Sequence, residues 1–168
     1  MQVAVCGPAA CTDDEAKAAF EVGRQLVRRG VTVLCGGGPG VMASVAAGAR
    51  SLGGLVVSIR PDQKRGEPAG GASVVVSTNL GEARNAVLVS SADAVIAVGG
   101  SWGTLSEVAL AMRRAADEPG DEPVDQPGGP TVVTLGGWRV LDGAGDPVAG
   151  ILEATSPEHA VSLALGAA

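Results

Sequence analysis

Short apolar runs alternate with longer stretches of helical period along this chain. Residues 3–6, 32–35, 55–59, 74–77, 94–98 and 131–135 are rich in Val, Ile, Leu and Ala and have the length of buried strands. Between and after them, apolar positions recur at helical spacing over residues 13–29, 41–52, 82–91, 104–116 and 157–165. Parallel strands need crossover helices, so this rhythm predicts an α/β fold: a Rossmann-like three-layer sandwich with a doubly wound, mostly parallel sheet. Thr12 with Glu15, and Thr104 with Glu107, have the capping-box spacing expected at helix starts. Two segments break the rhythm. Residues 60–71 are polar with Pro and Gly and predict a mobile loop. Residues 117–130 are acidic and rich in Pro and Gly, which predicts a surface excursion before the last core strand.

At 168 residues the chain suits one domain, residues 1–168, with a sizeable core. Aromatic residues make up only 2% of it, so that core must be built from Val, Leu, Ile and Ala. The net charge of −6 and the scarcity of aromatics argue against a nucleic-acid partner, which needs a basic field or stacking rings. No run approaches the roughly 20 apolar residues of a membrane span, and with Met1 leading directly into a strand no signal peptide is expected. A cytoplasmic protein without a membrane partner is expected. Cys6 and Cys35 fall in apolar strands and Cys11 in a loop, which suits reduced, structural thiols. His159 is the sole histidine, so neither a thiol–imidazole pair nor a His/Cys metal cluster is expected, and no cofactor is called for.

The candidate chemistry lies where strands give way to glycine. "VCGPAACTDDE", with Gly7, follows the first strand; "LCGGGPGVM", with Gly36, Gly37 and Gly38, follows the second; "AVGGSWGTLSE", with Gly99, Gly100 and Gly103, follows the fifth. In an open α/β sheet, ligands bind at the carboxyl ends of strands. Glycine lets backbone N–H groups approach an anion there, and the following helix adds its positive end. A phosphorylated small molecule, nucleotide or pterin, is therefore the expected partner. The P-loop and the ordinary dinucleotide fingerprint are both missing from the chain. Glu107 has two readings at this stage, cap for Thr104 or catalytic carboxylate. Trp102 likewise offers a stacking face or merely a plug for its loop.

"GGSWGTLSE", "CGGGPGVM" and "EARNAVLVSSADAVIAVGG" together resemble, in order, three motifs of the LOG (LONELY GUY) family over about residues 3–115. The likeness runs especially to a bacterial branch akin to molybdenum-cofactor carrier proteins. It implies a Rossmann-like fold and hydrolysis of the N-glycosidic bond of cytokinin nucleoside 5′-monophosphates. By the same resemblance Glu107 is catalytic and Arg84 holds substrate and orients it; the glycines with Thr104 are expected to hold the phosphate, with Ser101 and Trp102 in the same phosphate- or nucleotide-binding loop. The chain departs from the family pattern at Val98 (proline), at Ser101–Trp102 (a single smaller residue) and at Asn85 (lysine). The lysine decarboxylase label that many relatives carry does not suit this chain. A Schiff base needs a placed lysine, and only Lys17, on an early helix, and Lys64, in a loop, are present.

Two functions stay open at this point: a nucleoside 5′-monophosphate phosphoribohydrolase, and a non-enzymatic carrier or sensor of molybdenum cofactor or a nucleotide. "AVLVSSADAVIAV" and "LSEVALAM" place apolar residues on more helical faces than one sheet contact buries. LOG relatives are dimers or assemblies of dimers, and a homo-oligomer built on a two-fold pair is expected here. Light scattering at micromolar concentration checks this; the mass of a single chain would refute it.

Overall fold

Seven strands hydrogen-bond side by side, all parallel, in the order β4-β3-β2-β1-β5-β6-β7. They are β1 (Gln2–Cys6), β2 (Thr32–Cys35), β3 (Val56–Arg60), β4 (Val74–Ser77), β5 (Ala94–Val98), β6 (Thr131–Leu135) and β7 (Ile151–Ala154). Helices α1 (Asp13–Arg28), α2 (Val41–Arg50), α3 (Arg84–Ser90), α4 (Trp102–Ala116) and α5 (Pro157–Ala164) flank the sheet, and a 3-10 turn (Gly81–Ala83) leads into α3. This computed structural model describes residues 1–63, 70–116 and 129–166. The expected excursion over residues 117–130 therefore lies almost wholly outside the described residues, as does the middle of the loop predicted over 60–71. Arg60 itself belongs to β3.

Alternation along the strands splits the core in two. Val3 and Val5 of β1, with Ala94, Ile96 and Val98 of β5, face α1, α2 and α5. Ala4 and Cys6, with Val95 and Ala97, face α3 and α4. Strands buried on both faces read as unbroken apolar runs, and that is why β1 and β5 were legible. The buried hydrophobics are Val, Ala, Leu, Ile and Cys, while Phe20, Trp102 and Trp138 remain exposed. Cys6 and Cys35 face opposite sides of the sheet and are free thiols. Among the described residues, no helix is long and apolar enough to cross a membrane.

The pattern missed β7, which pairs with β6 at the sheet's edge. No crossover helix announces it. The connection from β6 is a loop pinned by a bridge between Leu141 and Pro147 and by Asp142, which accepts from the Ala144 and Asp146 amides. The helix starts divide likewise. The capping box of Thr12 and Glu15 forms as expected. At α4 the expected box does not form, because the helix begins two residues earlier, at Trp102. Ser101 caps it: the Thr104 amide donates to Ser101 Oγ at 3.2 Å, and the Leu105 amide donates to the Ser101 carbonyl at 2.8 Å. Glu107 is thereby released from capping duty.

Helices α1 and α2 cross at very close range. A side chain at Gly48 would run into the Phe20 carbonyl, and one at Gly23 into the backbone of Val45 and Ala49. Gly48→Ala should therefore lower stability by about 1–3 kcal/mol, strain outweighing the roughly 1 kcal/mol that Ala gains over Gly within a helix. Chemical denaturation of the purified variant checks this, and an unchanged or raised midpoint would contradict it.

Candidate functional site

The order of strands reverses around β1. The chain winds from β1 through β4 on one side and from β5 through β7 on the other, so a crevice opens where the carboxyl ends of β1 and β5 part. It has two lobes. One, of about 340 Å³, is lined by Gly7, Arg84, Asn85, Ser101, Gly103, Thr104 and Glu107, among others. The second, of about 500 Å³, is lined by Gly36, Gly37, Gly38, Arg60, Asp62 and Arg84, among others. Ala9, Met42, Pro61 and Arg84 border both lobes, so the Arg84 guanidinium stands at the divide.

Glu107 lies in the second turn of α4 and Arg84 opens α3, so the packing of these two helices on one sheet face brings them together. Arg84 Nη1 stands 3.6 Å from Glu107 Oε1, with side-chain exposures of only 12% and 8%. At that distance the pair is ionic without a hydrogen bond, and Arg84 Nε and Nη1 have no hydrogen-bond partner. Both nitrogens are buried, and Arg84, as a lining residue, brings a positive charge to the cleft, which suits an oxyanion. Burial pushes the Glu107 carboxyl above the ordinary glutamate range, and Arg84 and then the Cys6 thiol pull it only part of the way back. Such a carboxyl sits nearer the range useful for acid–base work than a solvated one.

Asn85, at the position where the family pattern has lysine, is buried and donates through Nδ2 to Ser106 Oγ at 2.9 Å. Ser106 Oγ in turn donates to the Gly103 carbonyl at 2.7 Å, tying α3 to the first turn of α4. In the second lobe Arg60 Nη2 donates to Asp62 Oδ2 at 2.8 Å. Arg60, Asp62 and Met42 went unmarked as site residues, because their convergence depends on which loops adjoin.

Three expected site residues are placed elsewhere. The Cα of Gly99, at positive φ (69°), packs toward the Glu15 carboxylate, and that of Gly100 packs against Trp138. Trp102 is 79% exposed and meets Trp138 edge-on, with ring centroids 4.8 Å apart. None of the three lines either lobe. A hydrophilic turn and a close-packed turn look alike in sequence when both are glycine, and only the neighbouring element tells them apart.

The fold defines a Rossmann-like protein with a crevice at the switch in strand order. The chain belongs to the SLOG cluster4 family, whose model matches residues 1–117. An uncharacterised protein of Archaeoglobus fulgidus is 41% identical over 113 residues, covering 67% of this chain and 74% of that one. A probable cytokinin riboside 5′-monophosphate phosphoribohydrolase of Oryza sativa subsp. japonica is 37% identical over 94 residues. That match covers 54% of this chain but only 41% of the rice protein. Among solved structures, the molybdenum cofactor binding protein of Rippkaea orientalis superimposes with a TM-score of 0.79 at 29% identity, over 98% of this chain and 95% of that one. The molybdenum cofactor carrier protein of Chlamydomonas reinhardtii superimposes with a TM-score of 0.73 at 27% identity, over 98% of both chains.

The buried pair makes stability depend on pH in a defined direction. A carboxyl raised in the folded state contributes stability below its unfolded pKa, and that contribution is lost as pH rises through the folded value. Arg84→Gln removes the opposing charge and raises the carboxyl further. The stability gap between wild type and Arg84→Gln should therefore widen as pH rises from the ordinary glutamate range through the raised folded value, approaching about 3 kcal/mol. It should largely close when Glu107→Gln is added. Denaturation across pH checks this, and a gap independent of pH would contradict it.

Proposed function

We propose that the cleft binds a nucleoside 5′-monophosphate and that the protein hydrolyses its N-glycosidic bond, releasing free base and ribose 5-phosphate. The observation that carries this is the Arg84–Glu107 pair, a buried carboxylate 3.6 Å from a guanidinium in the wall of the crevice, with no capping role to account for it. The match to the rice phosphoribohydrolase supports the same chemistry.

In this mechanism the phosphate is held by the backbone at Gly36, Gly37 and Gly38 or at Gly7, Ser101, Gly103 and Thr104, with Arg84 between the two sets donating to its oxygens. Glu107 stands by the bond being cut. Its carboxylate stabilises the oxocarbenium character that develops on the ribose as the base departs, and takes a proton from the attacking water. Arg84 favours the ionised form of Glu107 and partly offsets the burial that favours the neutral acid. Gly99, Gly100 and Trp102 act behind the site, packing the entry to α1 and the start of α4.

A second reading, a carrier that holds a phosphorylated pterin or nucleotide without chemistry, is supported by the end-to-end superposition on the Rippkaea orientalis protein. Incubation with adenosine 5′-monophosphate, or an N6-substituted analogue, is expected to yield free base with wild type and none with Glu107→Gln. Gly36→Val, whose side chain would drive into the Arg84 guanidinium, is expected to abolish binding as well as release. Free phosphate or sulfate should compete. No base from any purine or pyrimidine monophosphate, together with a phosphorylated heterocycle retained in native mass spectrometry, would decide for the carrier.

A further inference from the structure

We propose that Asn85 is a positioning residue: its side-chain amide, bound to Ser106, fixes how α3 lies on the first two turns of α4 and thereby sets the separation of Arg84 from Glu107. The contact belongs to the fold; its consequence for catalysis rests on the functional reading above.

Helices α3 and α4 pack on one face of the sheet, where Leu88, Val89, Val108 and Ala111 share a core. Apolar packing is non-directional, so it leaves one helix free to roll or slide on the other. Polar contacts remove that freedom. Arg84 and Asn85 are successive residues of α3, and Ser106 and Glu107 are successive residues of α4. Successive side chains leave a helix about 100° apart, so two contacts side by side define an orientation that one cannot. The Arg84–Glu107 contact, at 3.6 Å, is ionic and loose in direction. The Asn85 contact is a hydrogen bond, donated by Nδ2 to Ser106 Oγ at 2.9 Å, and its geometry is strict.

Ser106 is itself held. Its hydroxyl has one proton, which it donates to the Gly103 carbonyl at 2.7 Å, so toward Asn85 it only accepts. The donors therefore run one way, from Asn85 through Ser106 to the first turn of α4. Asn85 is 8% exposed, and a buried amide left without its acceptor is costly, which keeps the tie closed. At the far ends of the same helices, Arg114 Nη1 donates to the Val89 carbonyl at 2.7 Å. Asn85 and Ser106 hold the end that carries Arg84 and Glu107. Asn85, Gly103, Arg84 and Glu107 all line the same lobe, so slack at this tie reaches the site directly.

The test starts from Ser106, which is exposed, so Ser106→Ala cuts the tie without opening a cavity. Ser106→Thr keeps a hydroxyl able to reach the carbonyl one helical turn back. In full-length protein labelled with carboxyl-¹³C glutamate, the Glu107 signal is identified by its loss in Glu107→Gln, and its titration is followed by NMR. Arg84 from α3 and the Cys6 thiol from β1 are the groups that bear on that titration, and every tie variant retains both. With the tie cut, Arg84 moves away and its hold on the ionised carboxylate weakens. The midpoint should rise in Ser106→Ala by about 0.5–1 pH unit, the worth of roughly 1 Å of added separation in a partly desolvated pair. Ser106→Thr should keep the wild-type midpoint. Asn85→Ala should raise it as Ser106→Ala does, and the double variant should go no further, because both remove one bond. If Asn85→Ala does not fold, the two Ser106 variants decide. A change that merely lowered stability would leave the folded-state midpoint in place. A midpoint that stays or falls in Ser106→Ala, that Thr does not restore, or that rises additively in the double variant overturns the proposal. Shifts as expected in a protein that releases no base would leave the tie standing and remove the hydrolase, whereas base release with unmoved midpoints would do the reverse.

Discussion

Parallel pairing of β1 with β5 organises the molecule. Both strands are buried on both faces, and the chain leaves β1 toward β2 but approaches β5 from the far side of the sheet. Two loops that are remote in sequence must then diverge above adjacent strand ends, and a crevice follows from the connectivity alone. The helices after those strands are forced onto opposite faces, α1 on one and α4 on the other. Because α3 precedes β5 and packs beside α4, Arg84 and Glu107 meet beneath the same crevice.

Glycine serves two purposes around that crevice. At Gly36, Gly37 and Gly38 the absent side chains leave room between Met42, Ser58 and Arg84, and the backbone lines open space. At Gly40, Gly99 and Gly100 they permit contact with neighbouring elements, the Pro8 and Ala9 carbonyls, the Glu15 carboxylate and Trp138, and Gly7, against Val41 and the Val98 carbonyl, does so while also lining the cleft. The second group lets the segments that follow β1, β2 and β5 pack closely around the cleft. Removing side chains thus builds the site both by exposing backbone and by tightening what surrounds it.

An acidic protein has placed one arginine at the junction of two lobes, 12% exposed, with two buried donors unpartnered among the described residues. Burial opposes ionisation of Glu107, while Arg84 and Cys6 favour it. The balance leaves a carboxyl more basic than a surface glutamate yet held beside a cation, a combination that neither helix would produce alone.

The residues themselves determined the fold class and, among the described residues, six of the seven strands and all five helices, because short unbroken apolar runs and amphipathic stretches of period 3.6 are local properties. They also marked Arg84 and Glu107, the glycine loops, and the cap of α1, whose partners Thr12 and Glu15 lie three positions apart. Tertiary structure decided the remainder. Strand β7 exists because β6 offers it an edge. Ser101 rather than Thr104 caps α4, and Glu107 is left to pair with Arg84. Which glycines face the cleft and which face a neighbour also waits on packing, since a residue without a side chain carries no periodicity to read. Distances between groups far apart in sequence are set by the sheet, and no local pattern encodes them.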